Sequence, residues 1–129
     1  MSAGIVIREA HFPGRAPIDA YGNGGFRFAD MSHRGSILCL PSGIHGWDAA
    51  SPSDLTLARF DRVLAEAAGI EILLVGAGRD IVRLSQPLRE ALSQAGVAVE
   101  AMATGAAVRT YNVLLAEDRV VAAALIAVD

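Results

Sequence analysis

Lysine is absent from this chain. All eleven basic side chains among its 129 residues are arginine, which excludes a lysine Schiff base, a pyridoxal phosphate anchor and a Walker lysine. Cysteine occurs once, at position 39, so neither an intrachain disulfide nor a thiolate metal cluster can form. Cys39 sits in the apolar run Ile37 to Leu40 and reads as a small buried hydrophobe rather than a reactive thiol. The expected compartment is reducing and cytoplasmic. Positive charge is not in excess: the net charge is -3, which leaves no electrostatic footprint for nucleic acid. Aromatic residues make up 5% of the chain, so the core is expected to be aliphatic and alanine-rich. Long apolar stretches are missing too. The longest, Val120 to Val128, has nine residues, against the roughly 20 that a membrane-spanning helix needs, and it suits a buried strand. The first ten residues lack both a charged region ahead of a long apolar one and an arginine- and serine-rich transit helix. The expectation is a chain that starts as the mature protein, without a presequence.

What is present reads as one α/β domain over residues 1–129, with a β-rich portion at 1–48 and an α/β portion at 49–129. The organising stretch is Gly69 to Arg79, in which Ile70, Ile72, Leu73, Leu74 and Val75 form a β-rich segment that stops at Gly76 and Gly78. A continuous β-rich run of this kind predicts a strand covered on both faces. Ahead of it, Ile5 to Glu9 reads as a first strand, with a turn at Pro13-Gly14. Tyr21-Gly22-Asn23-Gly24-Gly25 is a dense turn signal leading into the alternating Phe26-Arg27-Phe28, which predicts a hairpin. His33-Arg34-Gly35 reads as the next turn, and Ser36 to Leu40 as a buried strand stopped by Pro41-Ser42-Gly43. Gly46-Trp47-Asp48 and Ser51-Pro52-Ser53 read as a hinge. A first helix is predicted from an N-cap at Ser53, with Leu57, Phe60, Leu64 and Ala67 as its apolar stripe. Ser85 and Pro87 open a second helix that runs to Ala95-Gly96. Val97 and Val99 lie in the next strand, parallel to the first by the right-handed crossover rule. Thr104 caps a third helix, Gly105 to Ala116, before the strand at Val120 to Val128. The fold class is therefore α/β: a mixed central sheet with helices packed on it and an N-terminal antiparallel hairpin unit.

Parallel strands deliver their following loops to one carboxyl edge, so Gly76 to Arg79 and Met102 to Thr104 are expected to be neighbours. The third helix would point its free N–H groups there. Gly76-Ala77-Gly78 resembles the start of a dinucleotide fingerprint, but Ile81 holds the third glycine position and the helix begins late, so no nicotinamide or flavin is assigned. Tyr111 and Asn112 are more polar than an alanine-rich packing helix requires. For Asn112, binding the backbone of a neighbouring loop is favoured over catalysis. The candidate ligand or partner site is thus Gly76, Gly78, Arg79, Thr104, Tyr111 and Asn112. No catalytic residue, cofactor or metal site is assigned. His11, His33 and His45 share no ligand spacing. Ser42 lies in Leu-Pro-Ser-Gly rather than in a hydrolase elbow, and Asp48 is a candidate to orient His45 without any nucleophile being indicated.

Thr104, Ala107, Thr110, Tyr111, Asn112, Leu114 and Arg119, followed by the alanine-rich strand, resemble the C-terminal signature of a family of small domains of unknown function. That family includes the mitochondrial respiratory complex I assembly factor 3. Gly76 and Gly78 match its strand that ends in Gly-x-Gly, and Tyr21, Gly35-Ser36 and Trp47 stand where the family tends to place them. The resemblance implies a compact α/β fold and, for mitochondrial members, help in assembling NADH:ubiquinone oxidoreductase by binding partner proteins, with no established enzyme activity or cofactor. The chain looks like a bacterial relative, and Ala103 and Gly105 make the start of its third helix plainer than in many relatives. The expected function is non-enzymatic binding of protein partners, such as respiratory complex subunits or assembly factors, during assembly of a membrane complex. Nucleic acid is not an expected partner; peripheral membrane contact and a homo-oligomer using a sheet edge stay open. The alternative is a protein or enzyme for a small anionic ligand held between the glycine loop and the third helix.

Overall fold

A computed structural model describes residues 11–129; the strand expected at Ile5 to Glu9 lies outside them. Nine strands are described: β1 (His11–Phe12), β2 (Ala20–Gly22), β3 (Gly25–Phe28), β4 (Met31–Arg34), β5 (Ser36–Leu40), β6 (Gly43–Trp47), β7 (Ile72–Gly76), β8 (Ala98–Met102) and β9 (Val121–Leu125). The helices are α1 (Asp61–Ala65), α2 (Gln86–Gln94) and α3 (Thr104–Ala116). Six strands form one mixed sheet in the order β1-β6-β5-β9-β7-β8, and β2-β3-β4 form a separate antiparallel sheet. β9 runs antiparallel to β5 and parallel to β7, which is itself parallel to β8. It therefore joins an antiparallel half to a parallel half. The six-stranded sheet takes strands from both sides of position 48.

The main sheet is covered on both faces, and the period of two along each strand sorts side chains between two cores. Leu38 and Leu40 of β5, Leu73 and Val75 of β7, and Ala122 and Ala124 of β9 join Phe60, Val63, Leu88 and Leu92. Ile37, Cys39, Leu74, Ala123 and Leu125 point the other way, into a core with Phe26 and Phe28 of the small sheet and Ala107, Val108 and Tyr111 of α3. Alanines at the centre of β9 let both layers approach the sheet closely.

The hairpin β2–β3 turns at Asn23-Gly24, with φ of 53° and 78°. Two successive residues in the left-handed region are the turn whose twist matches a two-residue hairpin. Ala29 and Asp30, with φ of 49° and 62°, make a second such turn between β3 and β4. His33 and Arg34 thus belong to β4 rather than to a turn; only Gly35 bends the chain there, at φ 97°. Gly46 and Trp47 likewise belong to a strand, β6, which pairs with β5 across the Pro41-Ser42 turn. The expected first helix is broken up. In its place come 3-10 turns at Pro52–Asp54, Leu57–Phe60 and Ala67–Gly69 around the short α1. The Asp54 carboxylate accepts the amides of Ala50 and Ser51, at 2.8 and 3.2 Å. Short polar side chains that bind nearby backbone in this way compete with a helical ladder. Arg59 adds ion pairs to Asp54 at 3.2 Å and Asp48 at 3.6 Å. The amides hold the Asp54 carboxyl below its ordinary value, with Arg59 contributing less. The second helix forms as read, with Ser85 at the N-cap, Pro87 in its first turn and Gly96 just past its end at φ 83°.

Candidate functional site

The carboxyl ends of β7 and β8 do converge. Thr104 donates its amide to the Gly78 carbonyl at 2.8 Å, and the Gly78 amide donates to Thr104 Oγ1 at 3.0 Å. The same hydroxyl donates to the Ile126 carbonyl at 2.7 Å. Thr104 therefore does not cap α3. It is the first helical residue, with Ala103 before it, and its side chain ties three chain segments together beneath the surface. Gly76 is needed for that closeness: a Cβ on it would lie 2.9 Å from Leu125 Cδ2 and 3.0 Å from Thr104 Cα. Gly78 takes φ 106°, which L side chains rarely adopt. The Tyr21 hydroxyl occupies the volume that a Cβ on Gly105 would fill, so an aromatic ring lies against the start of α3. Of Gly76, Ala77, Gly78 and Arg79, only Arg79 is exposed.

Tyr111 and Asn112 lie two turns further along α3, about 10 Å from Thr104 at 1.5 Å per residue, and do not join the glycine loop. Tyr111 is buried, and its hydroxyl faces the Cys39 thiol. Burial pushes the thiol up to about 12, with the Tyr111 hydroxyl lowering it by less. Burial, followed by the neighbouring Cys39, also raises the Tyr111 phenol, against a smaller effect of Arg15. Both groups are neutral at physiological pH and act as packing. Asn112 clasps one residue of the segment before β2: its Oδ1 accepts the Ile18 amide at 2.8 Å, and its Nδ2 donates to the Ile18 carbonyl at 2.9 Å. Both polar ends of the amide are satisfied by backbone. Trp47 is buried as well, edge-on to Phe60 at 5.5 Å, with its indole N–H donated to the Arg59 carbonyl at 2.9 Å.

One polar cluster is not apparent from spacing alone. Ser42 Oγ lies 2.8 Å from His45 Nε2 and 2.6 Å from Glu66 Oε2, and Glu66 Oε1 accepts the Ser42 amide at 2.9 Å. The composition is that of a hydrolytic triad, but the connectivity differs. In a triad the carboxylate orients the imidazole; here Glu66 holds the Ser42 hydroxyl and amide directly, and Arg62 Nη1 lies 3.4 Å from His45 Nδ1. Asp48, the candidate to orient His45, pairs with Arg59 instead. The cluster is a clamp holding the β5–β6 turn to Glu66. Among the described residues no group of three or more His, Cys, Asp or Glu could hold a metal, and no helix is long and apolar enough to cross a membrane.

Residues 18–126 match the family described as protein of unknown function (DUF498/DUF598). The chain belongs to that family. Two kinds of curated protein are similar to this DUF498/DUF598 protein. An uncharacterised protein of Rhodobacter capsulatus is 42% identical over 119 residues, covering 92% of this chain and 90% of that protein. The mouse NADH dehydrogenase [ubiquinone] 1 alpha subcomplex assembly factor 3 is 34% identical over 122 residues, covering 95% of this chain. This chain spans 66% of the mouse protein's length. Among solved structures, a crystal structure described as an outer membrane protein of Bartonella henselae has a TM-score of 0.89 and 61% identity, and covers 92% of this chain and all of that one. Within this chain Thr104 and Asn112 make internal bonds, to Gly78, Ile126 and Ile18.

Proposed function

We propose that this protein is a non-enzymatic binding protein that assists the assembly of a membrane protein complex by holding protein partners, such as respiratory complex subunits or other assembly factors. The observation that carries this reading is the 34% identity to a complex I assembly factor across 95% of the chain. Two structural features support it. The polar residues of the family block are engaged in holding strands and α3 together, and the Ser42 hydroxyl is taken up by the Glu66 carboxylate. We place this work in the cytoplasm, where an unpaired buried thiol such as Cys39 stays reduced. Affinity capture of the tagged protein from its native host, followed by mass spectrometry, tests the reading: recovery of respiratory or membrane-biogenesis proteins supports it, and a capture empty of both removes it.

One observation favours a second reading. Arg79 is exposed beside Gly78 at the approach to the N-terminus of α3, a cation next to a helix dipole where a small anion would be held. Thermal-shift screening of nucleotides and anionic metabolites decides this alternative. Stabilisation lost in Arg79→Ala supports it; no stabilisation, or equal stabilisation of both proteins, ends it.

A further inference from the structure

β8 is one border of the main sheet as described. It pairs with β7 on one side, and among the described residues no strand lies on the other. An unpaired edge offers a row of amides and carbonyls to any strand that can reach it, and proteins usually blunt such edges with charge, proline or a bulge. β8 reads Ala98-Val99-Glu100-Ala101-Met102, with no proline and one charge. The alternation of a strand sets Glu100 on the face opposite Val99 and Ala101. On the Val99 face the edge borders a shallow groove of about 510 Å³. Its other wall is the segment between β7 and α2, where Ile81 is 67% exposed and Val82 is partly buried against the core.

The charge of this groove is opposite to that of the molecule. Arg83 and Arg89 line it and no carboxylate does, although the chain carries a net charge of -3. Arg89 donates Nε to the Leu84 carbonyl at 3.1 Å, which fixes the guanidinium plane. Among the described residues neither arginine has a carboxylate within ion-pair distance. A fixed guanidinium fork without an acidic partner is the arrangement that receives a carboxylate in two parallel hydrogen bonds.

We propose that β8 and this groove form a docking site for an extended acidic segment of a partner protein, added to the sheet as a further strand. The backbone of the segment pairs with the free edge of β8. Its inward apolar side chains lie over Val99, Ala101 and Ile81, and its carboxylates meet Arg83 and Arg89. Main-chain pairing supplies affinity, and the alternate side chains supply selectivity. The proposal deepens the reading of the chain as a protein-binding module by naming the surface and the chemistry of what it binds.

The test is an amide NMR titration with two synthetic peptides, one alternating valine with glutamate and the other valine with lysine. Saturable shifts confined to Ala98–Met102 and residues 81–84 with the glutamate peptide are expected, weakening with added salt. The doubly reversed variant, Arg83→Glu with Arg89→Glu, is expected to bind that peptide about tenfold more weakly, with unchanged Trp47 fluorescence confirming its fold. Equal binding of the lysine peptide, shifts centred elsewhere, or no binding of either peptide overturns the proposal. So does a wild-type dimer in sedimentation that Val99→Arg dissolves, because the occupant would then be a second copy. The host capture separates this proposal from the reading beneath it. If wild type and the doubly reversed variant recover the same respiratory partners, the groove proposal fails and the assembly reading stands; loss of those partners in the variant alone supports both.

Discussion

Replacing Thr104 with valine changes the shape of the side chain little and removes one hydroxyl, yet two backbone groups depend on that hydroxyl. The Gly78 amide loses its acceptor at 3.0 Å and the Ile126 carbonyl loses its donor at 2.7 Å. Thr104 is fully buried and Ile126 nearly so, so water does not replace the missing partner without opening the structure. An unsatisfied buried donor or acceptor costs about 1–3 kcal/mol. Two together, offset by the easier burial of valine, place Thr104→Val about 2–4 kcal/mol below wild type, a large part of the roughly 5–15 kcal/mol that holds a domain. At about 3–5 °C per kcal/mol for a domain of this size, Tm falls by about 10 °C. Urea unfolding followed by far-UV dichroism and by fluorescence of the single tryptophan, Trp47, measures the loss. Thr104→Ser is the control: it keeps both hydrogen bonds, loses one methyl, and is expected to cost about 1 kcal/mol. If Thr104→Val unfolds within about 0.5 kcal/mol of wild type at an unchanged m-value, or if Thr104→Ser is as damaging, the hydroxyl does not hold these segments together.

Three further outcomes are expected. Asn112→Ala frees the Ile18 amide and carbonyl and costs about 1–3 kcal/mol; hydrogen exchange at Ile18 accelerates while the amides of β9 stay protected, and uniform acceleration of both would contradict a local clasp. The Cys39 thiol, raised from 9.0 to about 12, is protonated in the native protein at pH 8, so alkylation proceeds only through opening of the fold, and rapid stoichiometric labelling of native protein would refute its burial. Because that folded value is raised, the stability it supports is complete below pH 9 and is lost as pH climbs towards 12, by about 1.4 kcal/mol per unit; Cys39→Ala flattens this slope in urea titrations run between pH 9 and 11, and an unchanged slope counts against it. Ala29 holds φ 49° in a turn that glycine adopts without strain, so Ala29→Gly stabilises by about 0.5–1 kcal/mol, and a lower urea midpoint would show that its methyl packing outweighs the strain.

Much of the architecture is legible in the residues because the buried strands are. Ile37 to Leu40, Ile72 to Val75 and Val120 to Val128 are unbroken apolar runs, and the doubly covered strands β5, β7 and β9 are built on them. Asn23-Gly24 announces its turn through residue type, whereas Ala29-Asp30 adopts the same conformation with an alanine and gives no such signal. β6 is hidden by Gly43, His45 and Gly46, which read as loop residues and are extended by pairing with β5. The stripe from Leu57 to Ala67 does point inward at Phe60 and Ala67, but periodicity does not reveal that Asp54 takes two amides and interrupts the helix. For the candidate site, the meeting of Gly78 with Thr104 follows from parallel strands sharing an exit edge. That the Thr104 hydroxyl itself fills the Gly78 amide does not, because a donor aimed at a ligand and one aimed at a neighbouring side chain look alike in sequence. Tyr111 and Asn112 share a short stretch with Thr104 yet point to Cys39 and Ile18, since two helical turns separate them.

The placement of β9 has a consequence for how the molecule is made. Both of its neighbours, β5 and β7, are synthesised before it, so until residues 121–125 arrive the sheet exists as two fragments with bare borders facing each other. Neither fragment can close over its apolar surface alone, and the pairing that unites them spans more than eighty positions of chain between Cys39 and Ala123. Long-range pairing of this kind is slow, and unpaired borders invite strands from other chains. A sheet that stays in two halves until β9 slots into its middle is exposed to such pairing through most of its synthesis.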